Sequence, residues 1–274
     1  MADLSEDLAT LRAAVIAAGK LALDVRDEAS ATAWDKSPGH PVTVADLSVN
    51  ALLADALTGA RPDYGWLSEE TADDPVARRK DRVWVVDPID GTRAYMRPGD
   101  PHWCISGAVV EHGVPVAGVI YAPAMGKLYE ARCGGGAYLN GEPLEVTGCS
   151  AESGCRLITN LQMINHPAWP EPWPPVTLAD PKPNATLLRL AFVAEGIWDG
   201  VIVLWRKSDW DLAAGALLIE EAGGLATTHK GEPFAFNGPV PAQRSLIAAG
   251  KALHPLLVRR TSAVELPDPA SETA

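Results

Sequence analysis

The residues with the clearest chemical potential follow an apolar run in the first third of the chain. Residues 83–92 read VWVVDPIDGT, so two carboxylates, a proline, a glycine and a threonine succeed three valines and a tryptophan. Carboxylate oxygens are ligands for hard cations such as Mg²⁺, and the free NH groups at a helix start bind phosphate. Asp, Pro and Gly are also the usual residues of an ordinary turn at a strand end. The segment alone therefore leaves both interpretations open.

A buried β-strand must carry this segment, because β-branched and aromatic side chains suit a sheet that is covered on both faces. We expect Pro88 to end the hydrogen-bond ladder of the strand. Gly91 and Thr92 are then expected to begin a short helix. The turn between strand and helix would hold Asp87 and Asp90 close together.

Two acidic positions earlier in the chain could complete such a site. Asp46 lies three residues after Thr43, an arrangement that is typical of a capping box at a helix start. Glu69 follows a short predicted strand, where neighbouring acids usually face solvent. Each residue therefore has a structural explanation beside the catalytic one.

A third acidic position lies far along the chain, in residues 208–224, which read SDWDLAAGALLIEEAGG. Ser208 or Asp209 is expected to cap a helix that ends at Gly223. Asp211 would lie in the first turn, where a carboxylate commonly complements the helix dipole. The alternative is a metal ligand presented at a rigid helix start.

The remaining pattern predicts a mixed, layered α/β fold. Residues 105–110 and 114–121 are typical of an apolar hairpin joined by a short turn. Helical segments flank the hairpin region, which argues against a strictly doubly wound fold. Residues 34–41 are predicted to be a loop. The prolines and tryptophans of residues 165–175 predict a surface excursion, which could be a packed loop, a lid or an oligomer contact.

Bulk properties exclude several classes of function. A formal net charge of −12 argues against a nucleic-acid polymer as partner, because duplex binding needs clustered Lys and Arg. It does not exclude a small phosphate ester, because bound cations reverse the local sign of the charge. No apolar run is long enough to cross a bilayer, and the acidic start is unlike a secretory signal. A cytoplasmic location is therefore expected.

Four separated motifs, taken in order, resemble those of the inositol monophosphatase superfamily of lithium-sensitive, magnesium-dependent phosphomonoesterases. They are VTVAD at 42–46, SEE at 68–70, DPIDGT at 87–92 and WDLAAG at 210–215. The resemblance covers almost the whole chain. It implies an α-β-α-β-α sandwich in a single catalytic domain at residues 1–266, with two intimate lobes at roughly 1–150 and 151–266. Residues 267–274 are expected to be a disordered tail.

The resemblance also implies the composition of the site. Two or three Mg²⁺ ions would be held by Glu69, Asp87, Asp90, Asp211 and the backbone carbonyl of Ile89. A water molecule near Glu69, oriented by Thr92 and its partner Asp46, would attack phosphorus. The ion at Asp90 and Asp211 would stabilise the departing alcohol. The NH groups of Gly91 and Thr92 would hold phosphate oxygens.

The leading substrate prediction is a 3′(2′),5′-bisphosphate nucleotide. LSEE at 67–70, GVPVAGVIYAP at 113–123 and FVAEG at 192–196 look most like the nucleotidase branch. Lys36 and Glu195 are the candidate substrate contacts. Arg93 and Ala94 depart from the Lys-Glu pair that is common in that branch.

Other substrates and another class of function stay open. Inositol monophosphatases typically carry a sugar-binding glutamate seven residues before the WD aspartate, and Leu204 stands at that position here. Inositol or another sugar or polyol phosphate, including fructose 1,6-bisphosphate and histidinol phosphate, is nevertheless the second prediction. A non-catalytic metal- or ligand-binding protein is the third. A small phosphorylated substrate is the expected partner, and a homodimer is left open.

Overall fold

The computed structural model contains both helices and strands, and it describes residues 4–28, 33–37, 40–167 and 169–266. The helices are α1 (Leu4–Glu28), α2 (Val44–Ala60), α3 (Thr92–Tyr95), α4 (Leu161–Ile164), α5 (Thr186–Ala194), α6 (Ala213–Glu221) and α7 (His254–Thr261). The strands are β1 (Ala33–Ser37), β2 (His40–Thr43), β3 (Gly65–Ser68), β4 (Arg82–Asp90), β5 (Cys104–Glu111), β6 (Val114–Ala122), β7 (Lys127–Arg132), β8 (Gly136–Leu139), β9 (Glu142–Pro143), β10 (Arg156–Ile158), β11 (Thr177–Leu178), β12 (Gly200–Val203), β13 (Lys207–Ser208), β14 (Gly224–Thr227), β15 (Ala242–Gln243) and β16 (Leu246–Gly250). The tail predicted at 267–274 lies outside the described residues. Within them, no helix is long and apolar enough to cross a membrane.

A seven-stranded mixed sheet in the order β3-β4-β5-β6-β7-β8-β9 forms the first half of the fold. β3 runs parallel to β4, and each later neighbour is antiparallel. The predicted hairpin is β5 and β6, whose two-residue turn has φ of 49° at His112 and 84° at Gly113. Positive φ at both central positions matches the twist of antiparallel strands.

Successive side chains of β4 point to opposite faces of the sheet, and both faces are covered. Trp84 and Val86 pack into the core beneath α1 and α2. Val83 and Val85 pack on the opposite side, into the core that includes α5 and α6. The strand is therefore buried on both faces, as its apolar run predicts.

A second sheet, of five strands in the order β11-β10-β12-β16-β14, completes the layers. Val201 and Val203 of β12 face the α5 and α6 core, whereas Ile202 faces a third core that includes Leu257 of α7. The order of layers is α1 and α2, the seven-stranded sheet, α5 and α6, the five-stranded sheet, and α7. The predicted α-β-α-β-α sandwich is confirmed.

Pro88 does not end its strand, so that prediction is wrong. β4 continues to Asp90 and pairs with β5 through a register shift between Asp87 and Asp90. The parallel neighbour β3 ends at Ser68, opposite Val86. Beyond that point β4 has a neighbour on one side only, where a proline and a bulge are tolerated.

The loop predicted at residues 34–41 is also corrected, because β1 and β2 pair as antiparallel strands there. Trp34 pairs with Val42, so strand-forming side chains on both sides of residues 38–39 favour pairing. Lys36 lies on β1, and its side chain is outside the described part of the chain.

The proline- and tryptophan-rich segment is a packed excursion held by one arginine. The rings of Trp169 and Trp173 meet edge to face, with centroids 5.6 Å apart. The Arg260 guanidinium lies 4.8 Å from the Trp173 ring centroid and donates to Glu171 O at 3.1 Å. It also donates to Glu152 Oε2 at 2.7 Å. Arg260 therefore fastens this segment to α7.

We expect Arg260→Ala to lower the free energy of unfolding by about 2 kcal/mol, through loss of a cation–π contact and hydrogen bonds to a charged group. Arg259→Ala is the matched control, because Arg259 is 72% exposed and lies 3.7 Å from Glu152; its effect should stay within about 0.5 kcal/mol. Urea unfolding measures both. Equal losses in the two variants would contradict the anchoring role.

Candidate active site

Three carboxylates from distant parts of the chain meet at the end of β4. Asp87 and Asp90 close the strand, and Asp211 lies in a 3₁₀ turn, Asp209–Asp211, that packs against it. One ligand atom from each lies within 4.8 Å of the others. Asp87 is 1% exposed and Asp90 6% exposed. The chain thus concentrates negative charge where water has little access.

Burial and mutual repulsion raise the pKa values of Asp87 and Asp90. Burial, followed by the charges of Glu69, Asp90 and Asp211, holds the pKa of Asp87 well above its usual range. Burial and Asp211 raise the pKa of Asp90 to about 7, although the Leu187 N–H donates to Asp90 Oδ2 at 2.6 Å. Ionised carboxylates at these positions therefore need a compensating positive charge.

A metal cation fits this donor set. Asp87 Oδ1 is buried and has no hydrogen-bond partner among the described residues, which is unusual for a carboxylate oxygen. Carboxylate oxygens close together in a protected site suit Mg²⁺ and Ca²⁺. Asp87, Asp90 and Asp211 together can hold a metal ion.

Glu69 and the backbone carbonyl of Ile89, the other two predicted metal ligands, lie next to Asp87, Asp90 and Asp211. β3 runs parallel to β4 and its last residue pairs with Val86, so Glu69 follows next to Asp87. Its charge raises the pKa of Asp87, and its residue surface is exposed. The carbonyl of Ile89 accepts the Thr92 hydroxyl at 3.2 Å, while its side chain is buried in the core.

Asp46 combines the two roles that the sequence leaves open. Its Oδ2 accepts the Thr43 N–H at 2.7 Å, and the Asp46 N–H donates back to Thr43 Oγ1 at 3.4 Å, which forms a capping box at α2. Its Oδ1 accepts the Thr92 hydroxyl at 3.3 Å. The cap therefore fixes a carboxylate that holds Thr92.

Gly91 is the residue at which β4 turns into α3. Its φ is 89°, which favours glycine. A Cβ here would lie 3.0 Å from His102 O and 3.1 Å from Ala185 Cβ. The predicted helix at Thr92 is confirmed, but it is a single turn.

The surroundings of Asp211 differ from the prediction. The 3₁₀ turn precedes α6, so Asp211 lies before that helix and not in its first turn. Its Oδ2 accepts the Ser208 N–H at 3.0 Å, and Lys207 Nζ lies 3.3 Å from its Oδ1. Sequence reasoning missed Lys207; its spacing of four residues from an acidic candidate was the available signal.

Glu195 is not brought to the carboxylates. It caps the C-terminal end of α5, a nine-residue helix whose first turn meets Asp90. Nine residues of helix span ~13 Å. The Glu195 carboxylate accepts Lys127 Nζ at 2.7 Å and the Tyr129 hydroxyl at 2.8 Å. Its predicted contact with substrate gains no support from this position.

In metal-free protein, Asp90 should make stability depend on pH. Its folded pKa of about 7 exceeds the unfolded value of ~3.9. The contribution of Asp90 to the free energy of unfolding is therefore fully present below pH ~4 and is lost as the pH rises through 7. With a chelator present, we expect the melting temperature of the wild type to fall more between pH 6 and pH 8 than that of Asp90→Asn. The substitution leaves His229 and His254 in place, and burial lowers the pKa of both side chains in either protein, so equal slopes would contradict the expectation.

Comparison with known proteins gives a consistent result. The model of the inositol monophosphatase family matches residues 3–266. The inositol-1-monophosphatase of Rhizobium meliloti (strain 1021) is 34% identical over 260 residues, which cover 90% of this chain and 94% of that protein. The histidinol-phosphatase of Chlorobaculum parvum (strain DSM 263 / NCIMB 8327) is 31% identical over 244 residues, covering 86% and 89%. The solved structure of the Thermotoga maritima IMPase has a TM-score of 0.75 at 26% identity, covering 100% of both chains.

Proposed function

The chain belongs to the inositol monophosphatase family and is a phosphoric monoester hydrolase; from this premise we propose that it hydrolyses a small phosphorylated alcohol of the sugar or polyol class, with Mg²⁺ as its metal. The observation that carries the proposal is the group of three carboxylates within 4.8 Å of one another, in which Asp87 keeps a buried, unpartnered oxygen. Relatives named for inositol 1-monophosphate and histidinol phosphate support the substrate class.

Bound Mg²⁺ would supply Lewis-acid chemistry, neutralising phosphate oxygens and activating water. The proposed ligands are Glu69, Asp87, the carbonyl of Ile89, Asp90 and Asp211. Two or three ions, inhibition by lithium, a cytoplasmic location and a homodimer belong to the same proposal. Calorimetric titration with Mg²⁺, assays in LiCl, cell fractionation and light scattering measure these four properties.

The protein's own groups would orient the attacking water. Thr92 donates its hydroxyl proton to Asp46 Oδ1 or to Ile89 O, so its oxygen lone pairs can accept a hydrogen bond from water. A bond then forms between this water oxygen and phosphorus as the ester P–O bond breaks. One proton of the water ends on the departing oxygen, so the products are inorganic phosphate and the alcohol. The NH groups of Gly91 and Thr92 are the proposed contacts to phosphate oxygens, and the positive φ of Gly91 sets the turn that begins the helix at Thr92.

A 3′(2′),5′-bisphosphate nucleotidase is the second candidate. The observation that favours it is Leu204, which replaces the sugar-binding glutamate and lines an apolar pocket with Trp205. An apolar wall leaves polyol hydroxyls unpaired, whereas a nucleobase can pack against it. The relatives described above carry the names of other phosphatases, so the comparisons support the sugar and polyol class better than this leading prediction from sequence.

Phosphate release from a four-substrate panel in Mg²⁺ tests the proposal. The panel is inositol 1-phosphate, fructose 1,6-bisphosphate, histidinol phosphate and adenosine 3′,5′-bisphosphate. We expect the fastest turnover with a sugar or polyol ester. Much faster turnover of the nucleotide would favour the second candidate. No phosphate release from any ester would favour a non-catalytic binding protein.

A further inference from the structure

A cavity of about 840 Å³ adjoins the loop that leads into α5, within the size range of small-molecule sites. Thr159, Asn160 and Lys182 form a polar part of its wall. Trp173 and Pro175, from the segment that Arg260 anchors, form an apolar part.

The loop at one wall of the cavity leads within a few residues to the start of α5, which contacts the carboxylate site. The Leu187 N–H at the start of α5 donates to Asp90 Oδ2 at 2.6 Å. Ala185 packs so closely on Gly91 that a Cβ there would lie 3.1 Å from Ala185 Cβ. Lys182 precedes Ala185 by three residues, so its Cα is at most ~11 Å from that of Ala185. This distance is within reach of a small substrate held at Gly91.

A second segment links the same cavity wall to Asp211. Lys182 Nζ lies 6.0 Å from the ring centroid of Trp205, whose surface is 41% exposed. Two residues later, Lys207 Nζ reaches Asp211 Oδ1 at 3.3 Å. Lys182 and Trp205 thus belong to the two segments whose later residues, Leu187 and Lys207, contact Asp90 and Asp211. These two carboxylates are proposed to hold the ion on the side of the departing alcohol.

The Lys182 ammonium lacks a counter-ion among the described residues. Its polar partner there is Asn160 Oδ1, and Asp180, in the same cavity wall, makes no ion pair with it. Burial, together with the nearby Arg189 charge, lowers the pKa of Lys182 to about 8. Arg189 itself donates to Pro183 O at 2.7 Å and Asn184 O at 2.9 Å. A half-buried ammonium without a carboxylate partner is stabilised when an anion enters its cavity.

We propose that Lys182 binds a second anionic group on the alcohol half of the substrate, so that the enzyme prefers phosphate esters that carry another phosphate. This inference rests on the proposed function and makes Lys182 a determinant of its specificity. Asn160 orients the ammonium, and Trp205 offers an apolar face to the carbon skeleton between the two phosphates. Sugar bisphosphates and nucleoside bisphosphates share this chemistry.

Substrate pairs that differ by one phosphate test the proposal. Fructose 1,6-bisphosphate is compared with fructose 1-phosphate, and adenosine 3′,5′-bisphosphate with adenosine 3′-monophosphate. Lys182→Met keeps the length of the side chain and removes its charge, Lys182→Arg restores a cation, and Lys251→Met is the control at an exposed lysine. Steady-state kinetics of the full chain in Mg²⁺ give kcat and KM for each pair.

We expect Lys182→Met to lower kcat/KM for a bisphosphate by roughly 10- to 100-fold, chiefly through KM, and to change the matched monophosphate by less than about 3-fold. Lys182→Arg should recover most of the loss, and Lys251→Met should show none. The substrate pair that shows this selective loss identifies whether the enzyme acts on sugar or nucleoside bisphosphates. Equal losses on both members of each pair, or no loss, would overturn the role of Lys182 while the proposed function stands. If the wild type released phosphate from inositol 1-phosphate or histidinol phosphate but from none of these four esters, only the role of Lys182 would be overturned. No phosphate release from any of the six esters would overturn both.

Discussion

Asp90→Asn should lower kcat by roughly 10³-fold or more. A bound metal stabilises the transition state by several kcal/mol, and each loss of about 1.36 kcal/mol lowers the rate tenfold. We also expect Mg²⁺ to raise the melting temperature of the wild type and to have little effect on that of the variant. Asparagine keeps an oxygen that can accept the Leu187 N–H, so the start of α5 stays in place. Phosphate release and thermal melts with and without Mg²⁺ measure the two effects.

The same substitution should stabilise the chelated protein at pH 8, because it removes one of the mutually repelling charges around Asp87. About 1 kcal/mol corresponds to roughly 2–4 °C in melting temperature for a domain of this size. Asp199→Asn is the matched control. Asp199 accepts Arg156 Nη2 at 2.8 Å and the Arg156 N–H at 2.7 Å, so its loss should lower stability and leave kcat unchanged. A fully active Asp90→Asn enzyme would refute the metal assignment.

Asp7→Ala should lower the free energy of unfolding by about 3 kcal/mol, because the protein loses hydrogen bonds to a buried charge, while Arg82 keeps its ion pair with Glu111. The Asp7 side chain is fully buried. It accepts Arg82 Nη1 at 2.8 Å, the Tyr64 hydroxyl at 2.9 Å and Arg61 Nε at 3.1 Å. These contacts join α1 to the start of β4 and to the end of α2. Denaturant unfolding measures the loss.

The neighbouring acid provides the control for this prediction. Glu6 also pairs with Arg61, at 3.0 Å, but its side chain is 69% exposed. Glu6→Ala should therefore cost less than about 1 kcal/mol. A similar cost for both variants would mean that the ion pairs of Asp7 contribute no more than a surface contact.

Local patterns made the centre of the site predictable. The run that ends at Val86 is apolar enough to require a strand covered on both faces, and its acidic end had to fall at an edge of the core. Asp46 stands three residues after Thr43, and that spacing alone indicates a capping box. The family motifs then joined positions that are distant in the chain.

Features that depend on distant neighbours could not be predicted in this way. The tolerance of Pro88 follows from where β3 ends, which no pattern around Pro88 reveals. Leu187 and Asp90 are 97 residues apart, and a backbone N–H carries no side-chain signature. The isolation of Lys182 from carboxylates is likewise a property of packing. Its neighbours Asn160 and Trp205 belong to other elements.

The meeting of β4, the start of α5 and the Asp209–Asp211 turn joins strands and helices from both halves of the chain at one point. A cation held there would cross-link those parts, as a disulfide closes a loop, and its removal would release them together. We therefore expect magnesium depletion to shorten the lifetime of the protein as well as its catalysis. The rate of digestion by a nonspecific protease, with Mg²⁺ and with a chelator, measures that coupling between metal supply and protein turnover.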